Sequence, residues 1–253
     1  MNDLTGSLYI STISDDAEKI AFDYGLGLEI AEFCTAFNMD TEFEKWDSQV
    51  REKMRGVGCF TFHAPFNELC PAAIDPLIVE VAKKRYVQAY NLMLGYGINS
   101  MIAHTGFIPL VYHECWFVEK SVAFWREFLV GKPDDFRLLL ENMLEETPQA
   151  MCEIACEIND DRFRLCLDIG HAAVVGKGIS VAEWVERTLP YVGHVHIHNN
   201  YGEIDTHNAL GDGTIDVRAV IKRIAEAVPA ATFTIESRDG RASVEWLKAN
   251  GFL

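Results

Sequence analysis

Short apolar runs recur along this chain, and one after another they end in a histidine or a carboxylate. His63 closes CFTFH, His104 closes SMIAH, Glu141 closes RLLLE and Glu236 closes TFTIE. Asp168 and His171 come from RLCLDIGH, His196 from GHVHIHNN, and Asp205 and His207 from EIDTHNALGDG. A charged group placed directly after a buried run is costly unless something pairs it. In a barrel of parallel strands, every strand delivers its last side chain to one rim. Six strands would then bring nine such groups to one spot. Imidazole and carboxylate are the ligand types that hold borderline and hard divalent cations.

The segments between these runs read as helices. SLYIS (7–11) is expected as the first strand, after which Ser14 caps a helix that Gly25 ends. GLEIAEF (27–33) is the second strand, and a polar helical stretch runs from it to about Arg55. CFTFHAPF is the third. Asp75-Pro76 opens a long helix, with proline at its tolerated first position, reaching Gly95 or Gly97. SMIAH precedes an irregular aromatic-rich insertion over 107–117 and a helix near 119–130. RLLLEN, RLCLD, HVHIH and TFTIE complete the strands. Helices are expected between them over 148–158, after the capping-box pair Ser180 and Glu183, around 217–224, and over 241–250.

Eight strands alternating with helices in 253 residues predict an α/β fold, a single (β/α)8 TIM barrel with residues 1–253 as one domain. An open doubly wound sheet would gather ligands from only two or three strands at its switch point. Six contributing strands favour closure.

Charge decides one question about partners. Twenty-two basic residues against 38 acidic ones give a formal charge of −16. A protein that grips duplex DNA relies on a basic footprint to displace counterions. The one basic run, Lys83-Lys84-Arg85, lies in a helical stretch and is expected to face solvent. Duplex DNA is therefore a poor partner for this chain. No apolar run approaches the roughly 18 residues of a membrane span. MNDLTGSLYIS lacks the basic-then-apolar order of a secretory signal. Seven scattered cysteines, with no CxxC pair, predict reduced thiols and a cytoplasmic protein.

Any one of the strand-end residues has a bland explanation as a helix cap or a satisfied polar group. The set is what points to a metal. Within it, His194, His196 and His198 alternate along one strand and share a face, so parity does not separate them. Gly211 and Gly213 are expected to allow positive φ in the turn after His207. His113 fits a surface position or a lid. Glu29 ends the second strand facing the same rim, as a support for the ligands or a substrate contact. Phe107, Tyr112, Trp116 and Phe117 either line a substrate pocket or simply cover the barrel mouth.

LLLEN, CLDIGHA, GHVHIHNN and IDTHNALGDGTID together resemble the xylose isomerase-like barrel superfamily, which joins sugar isomerases and epimerases, inosose dehydratases and the endonuclease IV group. The resemblance runs from about Gly27 to Glu236, and its LGDGTID continuation is the most specific part. It implies that one divalent ion (Zn, Mn or Mg) is held by Glu141, Asp168, His196 and Glu236. His196 is singled out because the family uses the second histidine of HxHxxN. Glu141 and Glu236 would also move a proton at the carbon beside a sugar carbonyl, with His171 and either Glu29 or Arg238 binding the substrate. The substrate class implied is a small sugar or sugar phosphate. Endonuclease IV implies an alternative, a phosphoester hydrolase with three zinc ions. His63, His104 and Glu141 would hold one, Glu141, Asp168, His196 and Glu236 the second, and His171, Asp205 and His207 the third. One to three ions are thus expected. The acidic chain argues for the sugar, as does the lack of basic loops. A barrel that only binds is disfavoured by the retention of both glutamates.

Overall fold

The computed structural model describes residues 4–253. Eight parallel strands close into a barrel in the order β1 to β8, each paired with its sequence neighbours and β8 with β1. The strands are β1 (Leu8–Ser11), β2 (Gly27–Ile30), β3 (Phe60–His63), β4 (Ser100–His104), β5 (Arg137–Glu141), β6 (Phe163–Asp168), β7 (Val192–Ile197) and β8 (Thr232–Ile235). The helices between them are α1 (Ala17–Tyr24), α2 (Ala36–Asp40), α3 (Phe43–Lys53), α4 (Pro76–Gly95) and α5 (Glu114–Leu129). They continue as α6 (Gln149–Ile158), α7 (Ile169–Val175), α8 (Val181–Thr188), α9 (Val217–Ala227) and α10 (Gly240–Ala249). This is a (β/α)8 TIM barrel. No helix among the described residues is long and apolar enough to cross a membrane.

Local chemistry sets several helix starts. Asp75 caps α4 by accepting from the Leu77 amide, and Ser180 caps α8 by accepting from Glu183. Asp168 caps α7 by accepting from the His171 amide, which ties a rim carboxylate to the loop behind it. Ser14 does not cap α1. Its hydroxyl bonds the Ser237 carbonyl across the barrel closure, and Asp16, in the left-handed region, precedes the helix instead. Gly25 ends α1 at φ 68°, as a left-handed C-terminal residue should. Helix α5 begins at Glu114, earlier than its sequence indicates, so Trp116 and Phe117 belong to the helix and not to an insertion.

Side chains two residues below the rim point into the barrel, as the period of a strand requires. There Ile102, Leu139 and Cys166 form a small apolar cluster. The remainder of that layer is polar, with Thr61, His194 and Thr234 all buried. The main core lies between the outer strand faces and the helices and includes Trp125, Trp184, Tyr86 and Phe163.

Candidate functional site

Register aligns the strand ends. His104 lies opposite Glu141 in the β4–β5 pair, and Asp168 lies opposite His196 in the β6–β7 pair. At the centre is Glu141, almost fully buried. Its Oε2 is 3.3 Å from His63 Nε2 and 3.2 Å from His104 Nε2. Its Oε1 is 3.2 Å from His196 Nδ1 and 3.5 Å from His171 Nδ1. His196 Nδ1 also lies 3.3 Å from Glu236 and 3.8 Å from Asp168. On the outer side, Asp205 Oδ2 is 3.2 Å from His171 Nε2 and 3.0 Å from His207 Nε2. All nine strand-end and loop residues singled out in the sequence therefore converge. They fall into three groups whose ligating atoms lie within 4.8 Å of one another: His63, His104, Glu141; Glu141, Asp168, His196, Glu236; and His171, Asp205, His207.

Three of these imidazoles are held from behind by the main chain. His63 Nδ1–H donates to the Ala64 carbonyl at 2.9 Å, His171 Nδ1–H to Asn142 at 2.9 Å, and His207 Nδ1–H to Glu236 at 2.7 Å. With these rings neutral, each Nε2 lone pair would face a carboxylate oxygen at 3.0–3.3 Å. Lone pair against carboxylate is repulsive unless a proton or a cation lies between. Glu141 Oε2, His196 Nδ1 and Asp205 Oδ1 are buried without hydrogen-bond partners. Such orphaned atoms, drawn from oxygen and nitrogen ligand types, fit a divalent cation at each group.

Electrostatics separates the two glutamates. Burial alone would raise the Glu141 carboxyl, but His196 and His104 outweigh it and hold it well below the ordinary range. Burial dominates at Glu236, with the charges of Glu29 and Glu141 adding to it, and pushes this carboxyl up to about 7. Burial would lower His207, yet Asp205 and Glu236 together hold its imidazolium up at about 9.

These groups open on a cavity of about 220 Å3, whose other wall is Ile13, Ala31, Cys34, Phe66 and Met143. Among the described residues lining it there is no lysine or arginine. Phe66 stacks on His104 at 4.3 Å and 12°, a contact with no sequence signal beyond an aromatic three residues after His63. Other residues lie elsewhere. Arg238 is exposed and lines no part of the cavity. Glu29 is fully buried, 3.3 Å from His196 Nε2, and does not line the cavity. Phe107, Tyr112 and Phe117 pack on one another beside the mouth, Trp116 donates to the Ala72 carbonyl, and His113 is a surface residue. His198 is aimed at Asp168, 3.2 Å from both its oxygens, and stacks on His207. Gly211 and Gly213 do not have positive φ; a side chain at either would run into Trp246 or Asn199.

Fold and rim define the class: a parallel (β/α)8 barrel whose C-terminal mouth gathers histidines and carboxylates around one small cavity. Within that class the chain belongs to the xylose isomerase-like TIM barrel family, whose model matches residues 24–250. It is 30% identical over 204 residues to an uncharacterized protein of Methanocaldococcus jannaschii, a match covering 72% of this chain and 66% of that protein. A D-tagatose 3-epimerase-like protein has the same fold, with a TM-score of 0.76 at 24% identity over 96% of each chain. A Thermus thermophilus protein whose crystal was soaked with ZnCl2 superposes with a TM-score of 0.73 at 21% identity, covering 97% of this chain and 98% of that one.

Proposed function

We propose that this protein is a divalent-metal-dependent isomerase or epimerase of a small sugar or sugar phosphate. Glu141, Asp168, His196 and Glu236 would hold the ion that serves catalysis. When bound there, the ion supplies Lewis acidity to the substrate's carbonyl and hydroxyl oxygens. The chain's own residues do the rest. Glu141 and Glu236 reach the cavity from different strands, and their environments push their pKa values apart, the arrangement that suits one to accept and the other to return a proton. His171, at the cavity wall, is placed to orient substrate hydroxyls. The apolar wall of Ile13, Ala31, Phe66 and Met143 would limit water beside the exchanged carbon. The observation that carries this reading is the four-residue group around His196, with two carboxylates of opposite ionisation tendency, facing a cavity of about 220 Å3.

One observation favours a second reading. Each of the two flanking groups, His63 and His104 with the shared Glu141, and His171 with Asp205 and His207, brings three ligand residues together beside the central four. Three cations so placed suit a phosphoester, whose oxygens they would neutralise. The experiment that tests the first reading is incubation of the metal-loaded protein with a panel of ketoses and aldoses in deuterated water. Solvent deuterium should enter the carbon beside the carbonyl. If no sugar exchanges while an aryl phosphodiester is hydrolysed, the second reading replaces the first.

A further inference from the structure

Beneath the rim lies a buried carboxylate that the proposed chemistry does not use. Glu29 is fully buried on β2, and His196 Nε2 is 3.3 Å from both its oxygens. We infer that Glu29 is a positioning residue for the central ion, fixing the His196 ring so that its Nδ1 faces Glu141, Asp168 and Glu236.

The directions of the hydrogen bonds around Glu29 follow from one fact: a carboxylate only accepts. The hydroxyls of Thr61, at 3.1 Å, and Thr234, at 2.8 Å, therefore donate to Glu29 Oε2. With its proton committed, the Thr234 oxygen accepts from His194 Nε2–H at 2.8 Å. His194 Nδ1 is then an acceptor, and it takes the Thr232 hydroxyl proton at 2.6 Å. Of the two ring nitrogens near Glu29, His196 Nε2 is the nearer, at 3.3 Å from each oxygen against 3.5 Å for His194 Nε2. A proton fixed on Nε2 leaves Nδ1 as a bare lone pair, 3.2 Å from Glu141 and 3.3 Å from Glu236. A cation at Nδ1 would satisfy that lone pair, and the carboxylate behind the ring would make the imidazole a stronger donor to it. The remaining imidazoles with a rear contact rest on neutral carbonyls of Ala64, Asn142 and Glu236. His196 alone among those four rests on a charge.

The inference depends on the central group being a metal site, so the test separates the two. The probe is Co2+, followed by its visible absorption and by competition with a chromophoric chelator, on the whole protein. Glu29→Gln keeps an oxygen acceptor but no charge, and Glu29→Ala keeps neither. Affinity for the central ion should fall roughly tenfold in the first and up to about a hundredfold in the second, with an altered Co2+ spectrum in both. Thr234→Val removes one donor to Glu29 at nearly constant shape and should weaken binding about threefold to tenfold. It carries the test should the Ala variant fail to fold. Wild-type affinity and spectrum in folded Glu29→Gln and Thr234→Val proteins would overturn the inference. A wild-type protein that takes up no Co2+, or a His196→Ala variant that binds it unchanged, would overturn the metal reading itself and this inference with it.

Discussion

Glu141 ends β5 and Glu236 follows β8, three strands apart, yet they meet the same imidazole, and their burial makes them expensive to leave unpaired. Substitution by glutamine removes the charge and the proton-carrying function while keeping the shape. For Glu141→Gln and Glu236→Gln we expect activity to fall at least a hundredfold, in the range of lost general acid–base catalysis, with the fold retained. Turnover and a thermal melt on the same preparations check this. A Glu236→Gln protein with higher melting temperature and unchanged metal content would show that Glu236 is not a ligand. The nine rim residues were legible because each ends or follows an apolar run, a position where chemistry is seldom accidental. Others were not. Phe66 is one aromatic among many in the sequence, and only three-dimensional closure lays it on His104. Glu29 has the parity of the rim but lies one layer below it, beside Thr61 and Thr234, which spacing alone does not distinguish. Arg238 lies just past Glu236 and Ser237 at the end of β8, yet its side chain is exposed to solvent.

At the level of elements, the alternation of strands and helices was readable from period and capping residues, and the strand ends came within a few positions. What escaped the sequence was short-range competition. Ser14 has the composition of a helix cap but finds a partner on the far side of the closure, at Ser237. Helix α7 follows β6 without a linker because Asp168 serves both as rim carboxylate and as cap. That double duty places Gly170 against the His198 ring, so near that an added methyl group would overlap it. Gly170→Ala should therefore displace His198 from Asp168 and cost about 1–3 kcal/mol by overpacking. Chemical denaturation of the two proteins measures it. Equal midpoints would mean that the first turn of α7 is softer than its packing indicates.

The whole molecule adds a constraint that no single residue carries. Its charge of −16 is spread over a surface where two members of the one basic run are already paired: Lys83 with Glu80 and Glu127, Arg85 with Asp40. Counterion release, which drives nonspecific binding to duplexes, has little source here. We expect no appreciable shift of an abasic-site duplex in a gel at physiological salt; tight, salt-sensitive retardation would promote the phosphoester reading. The central claim remains that the barrel mouth holds divalent metal. Elemental mass spectrometry on protein purified without chelators tests it most directly. The account predicts one to three divalent ions per chain, one pointing to sugar isomerisation and two or three to phosphoester hydrolysis, with the central ion lost in His196→Ala. A folded protein that retains no divalent ion, even after incubation with Zn2+ or Mn2+, would contradict it.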